Sequence, residues 1–179
     1  PLREACFYEQ AERIWPGLVK DVNILYGMKT AGGVVYQVSK KNRADEAAVK
    51  TILQIALTDS LVRLAVAVDE DVDIHNADDV IWAIVTRANF ESGVFKGLAG
   101  ALGMSMLPAA DASRAKAGAF EIGGLGIDAT MSLMARHLFI RAHYPSNQID
   151  LTKWLPREQI AQIQARQSEY ARLLARIGG

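Results

Sequence analysis

The chain has 179 residues, half of them hydrophobic, and its twenty Lys and Arg are matched by twenty Asp and Glu. That length predicts a single domain over 1–179 with one sizeable core, and a net charge of zero gives no pull towards nucleic acid or an anionic membrane surface. A lone Cys6 excludes an intrachain disulfide, no apolar stretch reaches transmembrane length and no signal peptide opens the chain, so a soluble, cytoplasmic protein is expected. It opens at Pro1 without an initiator Met, the mark expected of processing, proteolysis or excision from something longer.

Leu2 to Trp15 reads as a helix whose apolar side is Leu2, Ala5, Cys6, Phe7, Ala11 and Ile14, with Cys6 expected to be buried as a small apolar residue. Pro16-Gly17 stops it. Val19 to Tyr26 and Val34 to Ser39 alternate as strands, and the connection between them is too short for a crossover helix, which predicts an antiparallel pair. Lys29 near Gly32-Gly33 lacks the residue order of a phosphate loop. Asn42-x-x-Asp45 marks a helix start, followed at helical spacing by Ala48, Val49, Ile52, Leu53 and Ala56. Leu61 to Val68 is the next strand. Strand, helix, strand at this interval is a right-handed crossover unit that sets 34–39 and 61–68 parallel. The fold class is therefore α/β: a mixed sheet with an antiparallel pair and a parallel crossover unit, and helices packed on the sheet.

The stretch Leu64–Phe90 changes periodicity in the middle. Leu64 to Val68 is a continuous apolar run expected of a strand covered on both faces, and Val80 to Val85 is a helix apolar at nearly every position, hence expected to be buried. Between them Asp69, Glu70, Asp71 and Asp73 put four carboxylates in five residues, at the carboxyl end of a strand where open α/β sheets keep functional loops. Such carboxylates stay charged only when solvated, bonded to backbone N–H groups, or neutralised by Lys, Arg or a metal. The alternatives are an N–H-bonded turn, a metal or substrate cluster, and an interface. Asp-x-Asp-x-Asp resembles the opening of a calcium loop, but the Gly and Glu such a loop needs further on are missing. His75 lacks spaced partner ligands and reads as a capping or packing residue. Trp82 reads as a core anchor, and Arg87, at the helix end that favours a cation, is placed to reach back to the acidic loop or to a partner chain.

From Gly97 to Gly126 seven Gly and eight Ala occur in thirty residues, which predicts a long irregular excursion whose apolar members, Phe95, Leu98, Leu102, Met104, Met106 and Leu107, line a cavity or pack on another domain. Gly123-Gly124-x-Gly126 is not a dinucleotide fingerprint and reads as a turn. Asp128 has Arg87 and Arg136 as candidate partners. His137 and His143 are six residues apart, off the helical face-sharing interval, and are not read as zinc ligands. Pro156 opens a last helix with a stripe of Ile160, Ile163, Tyr170, Leu173 and Ile177 that needs a docking surface. No catalytic constellation assembles from these residues: catalytic, cofactor-binding and metal positions are all read as none.

Residues 66–89, VAVDEDVDIHNADDVIWAIVTRAN, closely resemble the strand, acidic loop and helix signature of the UbiD-like decarboxylases, and GLGIDAT at 124–130 resembles their downstream Asp-Ala-Thr segment. The shared features are Asp69, Asp71, Asp73, Trp82-Ala83, Thr86-Arg87 and Asp128-Ala129-Thr130. Arg3-Glu4-Ala5 and the strand pair near 19–39 also fit, so the resemblance covers most of the chain. It implies a carboxy-terminal oligomerisation domain of a carboxy-lyase acting on aromatic or α,β-unsaturated acids, forming at least a homodimer. In that family prenylated FMN, held with a divalent metal (Mn2+ or Mg2+) and K+, and the catalytic acid–base network belong to an upstream flavin-binding domain, which is absent here. The modified flavin supplies the electron sink that side chains cannot. The family segment that approaches the substrate corresponds to Met104, Met106 and Leu107 before Pro108, as substrate-pocket lining. Arg63 stands where the family commonly has Lys. The alternatives are a standalone accessory or scaffold subunit of a decarboxylase complex, and a small metal-dependent enzyme using the Asp69–Asp73 cluster with His75.

Overall fold

The computed structural model describes residues 2–28, 31–59, 61–97, 124–139, 141, 150–162, 164 and 165. Two compact units divide the chain, Pro1–Phe139 and Ile140–Gly179. The first holds α1 (Leu2–Ile14), β1 (Val19–Met28), β2 (Ala31–Val38), α2 (Arg43–Ala56), β3 (Val62–Asp69), α3 (Ala77–Arg87), β4 (Val94–Gly97) and β5 (Gly124–Ala129). Its five-stranded sheet has the order β1-β2-β3-β5-β4. β1 and β2 are antiparallel, β2, β3 and β5 are parallel, and β4 is antiparallel to β5. This is the mixed α/β sheet that the alternation and crossover spacing predict. In the second unit a 3-10 turn at Leu151–Lys153 precedes helical residues 157–162.

Period-two alternation divides the core into two layers. Val34, Tyr36, Val38, Ala65 and Ala67 face α1 and α2, meeting Phe7, Ala11, Val49, Ile52, Leu53 and Leu57. Val35, Val66, Val68, Ile127 and Ala129 face α3 and the loop before it, meeting Val72, Ile74, Val80 and Ala83. β3 is buried on both sides, which explains its unbroken apolar run. α2 starts with a full capping box: the Asn42 side chain accepts from the Ala44 and Asp45 amides, while the Asp45 carboxylate accepts from the Asn42 amide. Asp45 also accepts the indole N–H of Trp15 at 2.8 Å, so one carboxylate ties the end of α1 to the start of α2.

Four expectations need correction. Cys6 is exposed, as are Leu2 and Ile14, because only Phe7 and Ala11 of α1 reach the sheet. The Val80–Val85 run of α3 is apolar throughout yet only half covered: Val80 and Ala83 are buried, whereas Ile81 and Val85 face outwards. The margins of the Gly/Ala-rich excursion are strands, β4 and β5, rather than irregular chain. Gly124 and Gly126 are accordingly strand residues and not a turn. A Cβ on Gly126 would stand 2.3 Å from Phe95 Cζ, and one on Gly124 2.5 Å from Leu57 Cδ2, so these glycines serve close side-chain approach. Residues 98–123, with Leu98, Leu102, Met104, Met106 and Leu107, lie outside the described residues, as do His143 and most of the predicted stripe of the last helix.

Candidate functional site

β2 and β3 are adjacent and parallel, but the helix after β2 packs on one face of the sheet and the helix after β3 on the other. The two connections therefore diverge to opposite faces beyond the carboxyl ends of the strands, the side on which open α/β folds usually take ligands. The register pairs Val38 with Asp69, so Lys40 leaves β2 beside the acidic loop that leaves β3. Among the described residues, the buried Lys40, Asp69 and Arg87 gather here.

Arg87, at the last turn of α3, folds back over the loop. Its Nη1 and Nη2 fork onto the two oxygens of Asp71 at 2.8 and 2.6 Å, and Nη1 also reaches Asp69 Oδ2 at 3.1 Å. The guanidinium carbon lies 4.9 Å from the centre of the Trp82 ring, so the tryptophan, partly buried against the α3 layer, stacks on the cation rather than sitting wholly in the core. The Arg87 side chain is 1% exposed, Asp69 6% and Asp71 39%. Hydrogen bonds to Asp71 hold the guanidinium charged more firmly than usual, while burial pushes the Asp69 carboxyl up against the pull of the Met131 amide and of the Lys40 and Arg87 charges. Arg87 Nε is buried and has no hydrogen-bond partner.

Asp69 Oδ2 also accepts the Met131 amide at 2.8 Å, across sixty-two residues of sequence. Lys40, itself buried, donates from Nζ to Thr130 Oγ1 at 2.7 Å and to the Met131 carbonyl. Asp128 turns to its own strand end, accepting from the Thr130 amide and hydroxyl, and pairs with neither Arg87 nor Arg136. Arg136 instead meets Glu70 at 2.8 Å. Glu46 of α2 accepts the Leu133 amide at 2.8 Å, and that bond holds its carboxyl below the ordinary range. Asp73 accepts the His75 amide, and the Asp79 carboxylate accepts the Asp73 amide, so the rest of the acidic loop is closed by backbone hydrogen bonds. Exposed His75 lies 3.3 Å from Asp21 Oδ2. Among the described residues no three His, Cys, Asp or Glu gather as metal ligands, and no helix is long and apolar enough to cross a membrane.

Beside this cluster an open depression of about 400 Å³ is lined by residues that include Lys40, Glu46, Arg87, Asn89, Asp128 and Phe139. Its cations are already engaged, Arg87 by Asp69 and Asp71, and Lys40 by Thr130 Oγ1 and the Met131 carbonyl. Lys40, Glu46 and the pairing of Glu70 with Arg136 are not legible in the sequence because each acts across 66 or more residues of chain. The usable signal for Lys40 is its place just beyond the carboxyl end of a parallel strand.

A family model described as the 3-octaprenyl-4-hydroxybenzoate carboxy-lyase C-terminal domain matches residues 1–129. The gallate decarboxylase of Lactiplantibacillus plantarum is 34% identical over 88 residues, 47% of this chain and 17% of that protein. The 3,4-dihydroxybenzoic acid decarboxylase of Enterobacter cloacae shares the fold with a TM-score of 0.64 at 26% identity, over 86% of this chain and 31% of the other. A UbiD-class enzyme of Pelotomaculum thermopropionicum, solved with FMN, has the same fold at a TM-score of 0.64 and 24% identity, over 86% of this chain and 32% of that one. The chain thus spans about a third of the solved relatives and less of the curated one. With most of its length covered by the family model, from the first helix to the end of β5, the chain belongs to the family of the 3-octaprenyl-4-hydroxybenzoate carboxy-lyase C-terminal domain.

Proposed function

We propose that this chain is the carboxy-terminal, assembly-forming part of a UbiD-like decarboxylase acting on an aromatic hydroxy acid. Its relatives named for gallate and 3,4-dihydroxybenzoic acid support that substrate class. Prenylated FMN, with a divalent metal and K+, belongs in this reading to a flavin-binding part outside the chain, together with the groups that move the proton. The observation that carries the reading is the internal neutralisation of the cluster. Arg87 is committed to Asp69 and Asp71, and Lys40 to Thr130 and Met131, so the residues that look most like catalytic machinery are already bonded within the fold beyond the carboxyl ends of β2 and β3. A small metal enzyme built on Asp69, Asp71 and His75 would need those carboxylates turned towards a shared ion.

The role assigned to the chain is assembly, with Met104, Met106 and Leu107 contributing to closure of the substrate pocket. The register adds a geometric point: Gly97 pairs with Gly124, so the excursion that carries those residues leaves and re-enters the sheet at the amino end of β5, opposite to Thr130 and Asp69. β5 is six residues long, and its two ends are about 17 Å apart at the usual rise per residue. Self-association is expected to give at least a dimer through Met131–Ile140 or residues 156–177, with about 1,200 Å² or more buried in total.

The test is to purify the chain, measure its mass by sedimentation at micromolar concentrations, pass it through gel filtration with prenylated FMN, and assay hydroxybenzoates. The reading expects a dimer or larger, no retained flavin and no turnover. A monomer throughout removes the assembly role, and turnover or a surviving flavin spectrum removes the assignment of the chemistry to another domain.

A further inference from the structure

We infer that Lys40 and Asp69 form a polar latch that closes residues 130–139 as a strap over the carboxyl ends of β2 and β3, and that the strap opens as a unit separate from the sheet. The two ends of the latch come from adjacent strands and grip the same point: Lys40 Nζ donates to Thr130 Oγ1 and the Met131 carbonyl, and Asp69 Oδ2 accepts the Met131 amide. Further along, Glu46 accepts the Leu133 amide and Glu70 meets Arg136. The strap is thus held from β2, β3 and α2 by side-chain bonds, whereas its own backbone bonds, Ala135 to Ser132, Leu138 to Ala135 and Phe139 to Arg136, are local turns.

Apolar burial does little to hold it. Within the strap beyond Thr130, Met131 is buried, while Met134 and Leu138 are 86% and 71% exposed. Segments with few buried apolar contacts and bonds to polar side chains open at lower free energy than the strands beneath them. When the strap lifts, the Lys40 ammonium and the Asp69 carboxylate regain water, which offsets part of the bonds lost. The sheet below keeps its ladders and both apolar layers. Closed, the strap fills with protein backbone the place where this fold class takes ligands. Open, it exposes a cation at one strand end and a carboxylate at the other. This inference goes beyond the proposed function and holds whether or not the chain works within a decarboxylase.

Amide hydrogen exchange on the full chain, read residue by residue, tests it. In the wild type the Met131 and Leu133 amides should exchange at least tenfold faster than those of Val66 and Val68 in the sheet centre, yet more slowly than in a free peptide. Lys40→Met should speed Met131 and Leu133 by a further tenfold or so through exchange that stays nearly independent of urea, whereas Val66 and Val68 keep the full urea dependence of global unfolding. Glu46→Ala, at a partly exposed position, should speed Met131 and Leu133 together, since one opening exposes both. Met131 and Leu133 taking on the urea dependence of Val66 in Lys40→Met, or no acceleration in either variant, would overturn the latch. Should Lys40→Met not fold, the wild type decides in a low-urea series: Met131 exchanging at the Val66 rate with the same urea dependence refutes a separate strap.

Discussion

Replacing Arg87 with Ala probes the cluster most directly, because its cost is set by which partner is left behind. Asp71 is 39% exposed and can return to water, so losing its fork costs little. Asp69 is 6% exposed and cannot. It keeps the Met131 amide and the nearby Lys40 charge but loses the guanidinium, and the vacated space beside Trp82 removes a stacked cation as well. Stranding one member of a buried pair costs about 3–5 kcal/mol. With a urea dependence of about 2 kcal/mol/M, a loss of about 3 kcal/mol lowers the unfolding midpoint by about 1.5 M. Urea titration followed by tryptophan fluorescence and far-ultraviolet circular dichroism reads this. Arg87→Met combined with Asp69→Asn should cost clearly less than the sum of the single changes, with a coupling of about 1 kcal/mol or more, since the double variant leaves no isolated charge. A stability within about 0.5 kcal/mol of wild type for Arg87→Ala, the ordinary range of surface substitutions, would refute the reasoning.

Asp45→Ala should cost about 2 kcal/mol in the same titration, since it removes the capping box and leaves the Trp15 indole and the Lys41 and Asn42 amides without their acceptor. The Asp45 carboxyl is held below its ordinary range first by the Lys41 amide, so its contribution is present above the unfolded carboxylate range and lost as pH falls through the lower folded value. The gap between wild type and Asp45→Ala should therefore narrow in acid, and a gap constant from neutral pH to pH 3 would contradict it. Gly126→Ala forces the Phe95 ring aside and should destabilise by about 1–3 kcal/mol, with Phe95→Leu in the same chain relieving part of the loss. Additive costs for that pair would show the contact to be unimportant. Lys40→Met should lower stability more than Lys41→Met, because Lys40 is buried between Thr130 and Met131 whereas Lys41 is exposed; equal midpoints would remove Lys40 from the cluster.

Much of the fold is legible in the sequence because local chemistry specifies it. Asn42 and Asp45 start α2 through bonds within three residues, alternation over 19–26 and 34–39 sets the first two strands, and the length of the β2–α2–β3 unit makes β2 and β3 parallel. The apolar run 64–68 correctly signals burial on both sides. What escapes are features whose cause lies elsewhere in the chain. Gly124 and Gly126 look like turn residues until Leu57 and Phe95 are seen to occupy the space a side chain would need. The apolar run Val80–Val85 within α3 cannot tell which side meets the sheet, and Ile81 and Val85 prove to be outside. The acidic residues 69–73 are conspicuous in sequence, and Arg87 is a natural partner at sixteen and eighteen residues' distance, but their meaning depends on Lys40, Glu46 and Met131. Sequence periodicity records which face of an element is apolar. Only the closing of the chain decides which buried charges neutralise one another, because that pairing depends on where the ends of β2, β3 and β5 meet, and no local pattern carries that information.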